Sequence, residues 1–154
     1  MVFNGTIRQL RMDETIPYPL LLLADETVDA INTYIHDSDI FVFEEGTTII
    51  GVYALQIIEK NVAEIKNIAV DKKFQGQGIG FLLMSDAIIR AQEKGCTEVI
   101  VGTAPSAGIQ LALYHKAGFT EYAIRPDFYI RNYPEPIIED GIQLRDMVLL
   151  KKQL

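Results

Sequence analysis

Six residues, Gln75-Gly76-Gln77-Gly78-Ile79-Gly80, restrict this chain more than any other stretch. They follow the apolar run Asn67-Ile68-Ala69-Val70 and lead into FLLMSDAIIRAQEKG, so the segment reads as strand end, glycine turn and helix opening. Glycines at alternate positions let the backbone turn tightly and approach a ligand without Cβ obstruction. The first N–H groups of a helix have no intrahelical acceptor, and the helix dipole favours an anion there. The stretch therefore reads either as a phosphate cradle or as an ordinary flexible turn. Two other cradles are excluded by spacing. A dinucleotide fingerprint requires glycine where Phe81 stands, and a P-loop requires Gly-Lys-Ser/Thr where Phe81-Leu82-Leu83 stand.

Composition narrows the classes further. With 154 residues, 49% of them hydrophobic, the chain is expected to form a single domain over 1–154 around one core. A net charge of −7 argues against nucleic acid as a partner, which calls for a basic face, and suits a cationic amine. Cys96 is the single cysteine, so no internal disulfide can form, and a cytoplasmic location is expected. Its place after Gly95 reads as a small buried hydrophobe rather than a nucleophile. His36 and His115 form no recognisable metal spacing with it, so no metal is expected. The amino terminus lacks a basic, then apolar, leader pattern, and the aliphatic run 20–24 is too short to span a bilayer, so no membrane partner is expected.

Taken in order, residues 6–12 read as a first strand and 20–23 as a short helix after Pro17 and Pro19, with a second amphipathic segment over 26–36. Strands are expected at 39–44, 47–58 and 62–70. In the last of these, strict alternation would mix Glu64 and Lys66 with Val62, Ile68 and Val70. One extra residue near Asn67-Ile68 instead aligns Ala63 and Ile65 with Ile68 and Val70, which predicts a β-bulge whose free backbone groups could bind a ligand amide. The spacing predicts the major helix over 79–94, with Ile79, Leu82, Leu83, Ala87 and Ala91 as its apolar stripe. Phe81, Met84, Ile88 and Ile89 widen that stripe enough to suggest cover on more than one side. A strand at 97–103 completes a βαβ unit and implies one parallel pair. A helix over 107–117, with Ile109, Leu113 and Ala117 in register, and a strand at 119–124 follow. Residues 125–141 read as a long irregular loop, and 142–151 as the closing strand.

The glycine stretch fits Gln/Arg-x-x-Gly-x-Gly/Ala, and Leu113-Tyr114-His115-Lys116-Ala117-Gly118-Phe119 supplies a second motif. Together they resemble the two signatures of the GCN5-related N-acetyltransferases (GNAT). The resemblance spans roughly residues 62–119. It implies a mixed α/β fold, with a mostly antiparallel twisted sheet of six to seven strands, a parallel pair and about four flanking helices. It also implies acetyl-CoA as co-substrate and direct acetyl transfer to a primary amine of a small molecule or peptide. By this resemblance Gln75, Gly76, Gln77, Gly78, Ile79 and Gly80 hold the diphosphate, and Ile68, Ala69 and Val70 hold the pantetheine arm. Tyr114 is the general acid for the leaving thiolate, and Glu64 the general base. Asn67 and Tyr34 would face the acceptor. Relatives carry an asparagine near the start of the last helix where this chain has Pro105-Ser106-Ala107-Gly108, so Ser106 is the candidate for that donor contact. Apolar strands near the carboxyl end make a homodimer plausible. A CoA-binding module without turnover and an unrelated phosphate-binding protein stand as alternatives.

Overall fold

The structure, a computed structural model, describes residues 4–154; the first three residues of the stretch read above for a leader lie outside them. Strand β1 (Thr6–Gln9) pairs antiparallel with β2 (Asp39–Glu45), and the short helices α1 (Tyr18–Leu21) and α2 (Val28–Asn32) fill the interval. Strands β2, β3 (Thr48–Glu59) and β4 (Val62–Val70) form a meander. Helix α3 (Ile79–Glu93) then crosses to β5 (Glu98–Thr103), which lies parallel to β4. Helix α4 (Gly108–Lys116), β6 (Thr120–Arg125), α5 (Phe128–Arg131), a two-strand hairpin of β7 (Ile138–Glu139) and β8 (Ile142–Gln143), and β9 (Met147–Gln153) complete the chain. The seven-stranded sheet runs β1-β2-β3-β4-β5-β9-β6, with β9 inserted between β5 and β6, and β4–β5 is its parallel pair. This is the expected mixed α/β sheet, with five α-helices among the described residues where about four were expected. Among the described residues no helix is long and apolar enough to cross a membrane.

Strand alternation puts apolar residues on both faces of the sheet. Tyr53 and Leu55 join Ile79, Leu83, Met84 and Ala87 of α3 in one core, while Val52 and Ala54 join Leu21, Ile31 and Ile35 in the other. Burying a side chain such as Leu83 contributes about 1.5–3 kcal/mol. Thr27 starts α2 by accepting the Ala30 N–H at 3.0 Å, a side-chain cap that satisfies one orphan donor.

The expected β-bulge is present. Asn67 pairs with Ala54 and Ile65 with Leu55, leaving Lys66 as the extra residue, so Ala63, Ile65, Ile68 and Val70 all turn to the α3 core. Two expectations need correction and a third needs refinement. The stripe of α3 runs through Ile79, Leu83, Met84, Ala87 and Ala91, while Leu82 and Ile89 are half exposed, so the helix is covered on one side. Ile109 of α4 is 85% exposed and belongs to no core, whereas Tyr114 is buried. Residues 125–141 are mostly loop, as expected, but carry more regular structure than the sequence suggested. They include α5 and the start of the β7–β8 hairpin, whose Asp140-Gly141 turn has positive φ at both positions, +51° and +77°. The closing strand is accordingly split into β8 and β9.

Candidate active site

Strands β4 and β5 pair only from Val62–Glu98 to Ile65–Val101. Beyond the bulge, β4 continues to Val70 hydrogen-bonded to β3 alone, and β5 continues to Thr103 hydrogen-bonded to β9. The two strands part at Lys66, and a gap opens between them toward their carboxyl ends. A bulge leaves backbone groups unpaired, so the β4 edge over 66–70 has no second strand beside it, and of its carbonyls that of Val70 is taken by the Gln75 side chain.

The glycine stretch closes one end of that gap. Asp71 accepts the Lys73 N–H at 2.9 Å and caps a single turn of 3-10 helix, Lys72–Phe74. Gln75 Nε2 donates to the Val70 carbonyl at 2.9 Å and ties the turn to the strand end. Gly76 and Gly78 have φ of +77° and +89°, and a Cβ on either would meet nothing within 4 Å. Glycine is required there by backbone conformation, and the space beyond is open. Gly78 caps α3, its carbonyl accepting the Leu82 N–H at 3.2 Å. Among the described residues the N–H groups from Gly76 to Gly80 find no protein acceptor. Gly80 differs: its backbone is ordinary, and a Cβ would lie 3.4 Å from Leu113 Cδ2, in van der Waals contact with α4. These elements enclose a cleft of about 350 Å³, lined also by Ile68, Ala69, Val70, Phe74, Ile79, Leu113 and Tyr114. Lys116 stands on its wall, with Nζ 4.7 Å from the Phe81 ring centroid.

A second cavity of about 540 Å³ opens on the other side of Tyr114. Its polar floor is a chain of hydrogen bonds. Asn67 is 4% exposed, and its Nδ2 donates to the Leu21 carbonyl and to the Tyr34 hydroxyl, each at 3.0 Å. Tyr34 in turn donates to Asp25 Oδ2 at 2.9 Å, and Tyr133 donates to Asp25 Oδ1. The Leu21 carbonyl can only accept, so the amide orientation is fixed and Asn67 Oδ1 is left buried with no partner. Burial raises both phenols above the ordinary tyrosine range, and the bond to Asp25 adds to the rise at Tyr133. Phe128, Tyr129 and Tyr133 form the aromatic wall, with the two tyrosine rings stacked at 6.1 Å.

Tyr114 lines both spaces. It is 4% exposed, packs against Phe119 with ring centroids 6.4 Å apart, and burial alone pushes its phenol up to about 12. The hydroxyl is therefore fully protonated at neutral pH.

The structure brings together Tyr114, Ile68, Ala69, Val70, Gln75, Gly76, Gly78, Ile79 and Gly80 around the first cleft, and Asn67 at the second cavity. Tyr34 stands behind Asn67 and Asp25 and touches the cavity through them. Gln77 and Ser106 line neither space. Glu64 is also outside both. Its carboxylate is 5% exposed and held by Arg125 through two bonds of 3.1 and 3.0 Å, with Lys66 Nζ at 3.2 Å. Both oxygens are occupied by cations, an arrangement suited to an ion pair rather than to a free base. Sequence reasoning missed Asp25 and Tyr133. The aromatic run around residues 128–133 and the Asp140-Gly141 turn were the available signals that residues 125–141 fold over a site.

Comparison with known proteins agrees with the motifs. The profile of the GNAT acetyltransferase family matches residues 6–119. The chain is 42% identical over 133 residues, 86% of each chain, to the Bacillus subtilis protein named uncharacterized N-acetyltransferase YvbK. It is similar to a GNAT family acetyltransferase from Elizabethkingia anophelis solved with acetyl-CoA bound, at TM-score 0.95 and 43% identity, covering 98% of this chain and 99% of the other. A Bacillus subtilis acetyltransferase solved in complex with CoA gives a TM-score of 0.89 at 39% identity, with 98% and 99% covered.

Proposed function

The chain belongs to the GNAT acetyltransferase family, and from that premise we propose that it transfers an acetyl group from acetyl-CoA directly to a primary amine held in the second cavity. The observation that carries this reading is the position of Tyr114, buried at the junction of the two spaces and the one phenol that lines both. A group there reaches the point where a donor in the cleft meets an acceptor in the cavity.

The roles follow from the residues present. The N–H groups from Gly76 to Gly80, unpaired and at the positive end of α3, bind the diphosphate of CoA. The β4 edge at Ile68–Val70 pairs with the amides of the pantetheine arm and offers an N–H to the thioester oxygen, where negative charge develops. As the amine nitrogen bonds to the acetyl carbon and the carbon–sulfur bond breaks, Tyr114 gives its proton to the sulfur, the nitrogen gives one N–H proton to water to become the amide, and Tyr114 regains a proton from solvent. Asn67 Oδ1 accepts an N–H of the amine and orients its lone pair. The amine must be neutral to attack. With Glu64 engaged by Arg125 and Lys66, the geometry favours water in the open cavity as the route for the departing ammonium proton. Holding both reactants in adjoining spaces supplies much of the acceleration.

The test is release of free thiol from acetyl-CoA in the presence of primary amines, with donor binding followed separately by calorimetry. Amine-dependent thiol release, abolished in Tyr114→Phe while acetyl-CoA still binds, is the expected result. Donor binding with no release for any amine would instead support a CoA-binding module without turnover.

A further inference from the structure

We infer that the second cavity selects amines carrying a further alkylammonium group, a diamine or longer polyamine, whose second charge lies among Asp25, Glu26 and Glu139 against the rings of Tyr129 and Tyr133. The inference rests on the acetyl-transfer reading above and names its acceptor.

The charge balance of the cavity is the first support. Asp25, Glu26 and Glu139 all line it, and Lys66 is its cationic lining residue. That lysine is already paired with Glu64, at 3.2 Å, so it does not neutralise the three carboxylates. They are close enough to act on one another: burial raises the Glu26 carboxyl, and Glu139 and Asp25 raise it further. A cation placed between them would relieve that repulsion. The carboxylates are also directed by the fold. Asp25 is fixed by two phenol donors, from Tyr34 and Tyr133, and Glu139 is carried in on the β7–β8 hairpin. Among the described residues they are not grouped tightly enough to hold a metal ion, a spread that suits an organic cation.

The second support is independent of charge. Asn67 Oδ1 is buried, unpartnered and part of the wall of the same cavity, and a lone acceptor there calls for an N–H donor. The third is the aromatic wall. Faces of tyrosine attract ammonium groups within about 6 Å, and the stacked pair Tyr129 and Tyr133 offers such a surface beside Asp25. A volume of about 540 Å³ accommodates a chain of several methylenes between the two nitrogens. An α-amino acid fits poorly by the same logic, since its carboxylate would meet three others.

Three acceptors of equal length separate the possibilities: 1,4-diaminobutane, butylamine and 4-aminobutanoate, with spermidine as a longer polyamine. Thiol release should give a kcat/KM for the diamine or spermidine at least about tenfold above that for butylamine, the effect of one partly buried ion pair. That advantage should shrink as ionic strength rises. In Asp25→Asn and in Glu139→Gln, the latter on an exposed hairpin where folding is not at risk, the ratio of diamine to butylamine should fall toward one. A ratio near one in the unaltered protein, a ratio unchanged by both substitutions, or a preference for 4-aminobutanoate overturns the inference. Calorimetry with acetyl-CoA runs alongside. Donor binding without release from any of these amines overturns this inference alone, whereas absence of donor binding overturns the acetyl-transfer reading itself.

Discussion

The guanidinium of Arg125, at the end of β6, grips the Glu64 carboxylate of β4 in a two-point fork, with separations of 3.1 and 3.0 Å. The fork crosses β5 and β9, the two strands that lie between β4 and β6 in the sheet. It ties the far edge of the sheet to the strand that carries the bulge.

Removing one member of such a pair leaves the other charge with fewer partners in a dry place. Arg125 is about a third exposed and Lys66 remains beside Glu64, so Arg125→Ala should cost about 2 kcal/mol, less than the roughly 3–5 kcal/mol of a fully buried pair. Thermal denaturation measures it. Glu64→Gln should lower Tm as well while leaving kcat within about threefold, below the 10²-fold or larger loss expected for a general base. A loss of that size would restore Glu64 to the base role.

Tyr114→Phe removes the proton donor but keeps the ring packed on Phe119. We expect kcat to fall about 10²-fold or more, with acetyl-CoA affinity unchanged by calorimetry. The pH dependence has a definite sign. The folded phenol, held up to about 12, keeps its proton between pH 10 and 12, where the unfolded chain has lost it. Its contribution to stability is therefore complete below pH 10 and is lost as pH rises through 12. Chemical denaturation of the native protein and Tyr114→Phe across that window should show the difference.

Gly78→Ala and Gly80→Ala should part company. At Gly78 the φ of +89° makes alanine strained by about 1 kcal/mol or more and moves the N–H groups of the cradle, so the Kd for CoA should rise at least about tenfold. At Gly80 the backbone is ordinary and the new methyl touches Leu113 at the edge of van der Waals contact, so CoA affinity should change less than threefold, about 0.6 kcal/mol. Equal effects at the two positions would mean the cradle does not bind through backbone donors.

Asn67→Ala deprives the Leu21 carbonyl and the Tyr34 hydroxyl of a buried donor. A loss of about 1–3 kcal/mol is expected in denaturant titration. The KM for the amine should rise severalfold, and that for acetyl-CoA should stay put. A matching rise in both would place Asn67 on the donor side.

Much of the fold could be read because local rules write it. The β4 bulge was visible as a break in a two-residue alternation, and the parallel pair as strand, glycine turn, helix and strand in order. Where reading failed, longer-range packing had overridden the local pattern. Ile109 continues a four-residue repeat yet lies over the mouth of the cleft rather than on the core, and Leu82 sits on the solvent side of a helix whose buried arc is centred on Ala87. The hairpin at residues 138–143 had its signal in Asp140-Gly141, but the flanking strands are two residues each and carry almost no pattern of their own.

By itself the amino-acid order determined the order of elements, the bulge and the glycine cradle, because each arises from neighbours a few positions apart in the chain. Only the tertiary structure decided the second cavity. Asp25 and Tyr133 stand 108 positions apart, and Asn67 reaches Leu21 across 46. No periodicity links such residues: they meet because the sheet parts at Lys66, and α1 with the 125–143 segment folds over the opening.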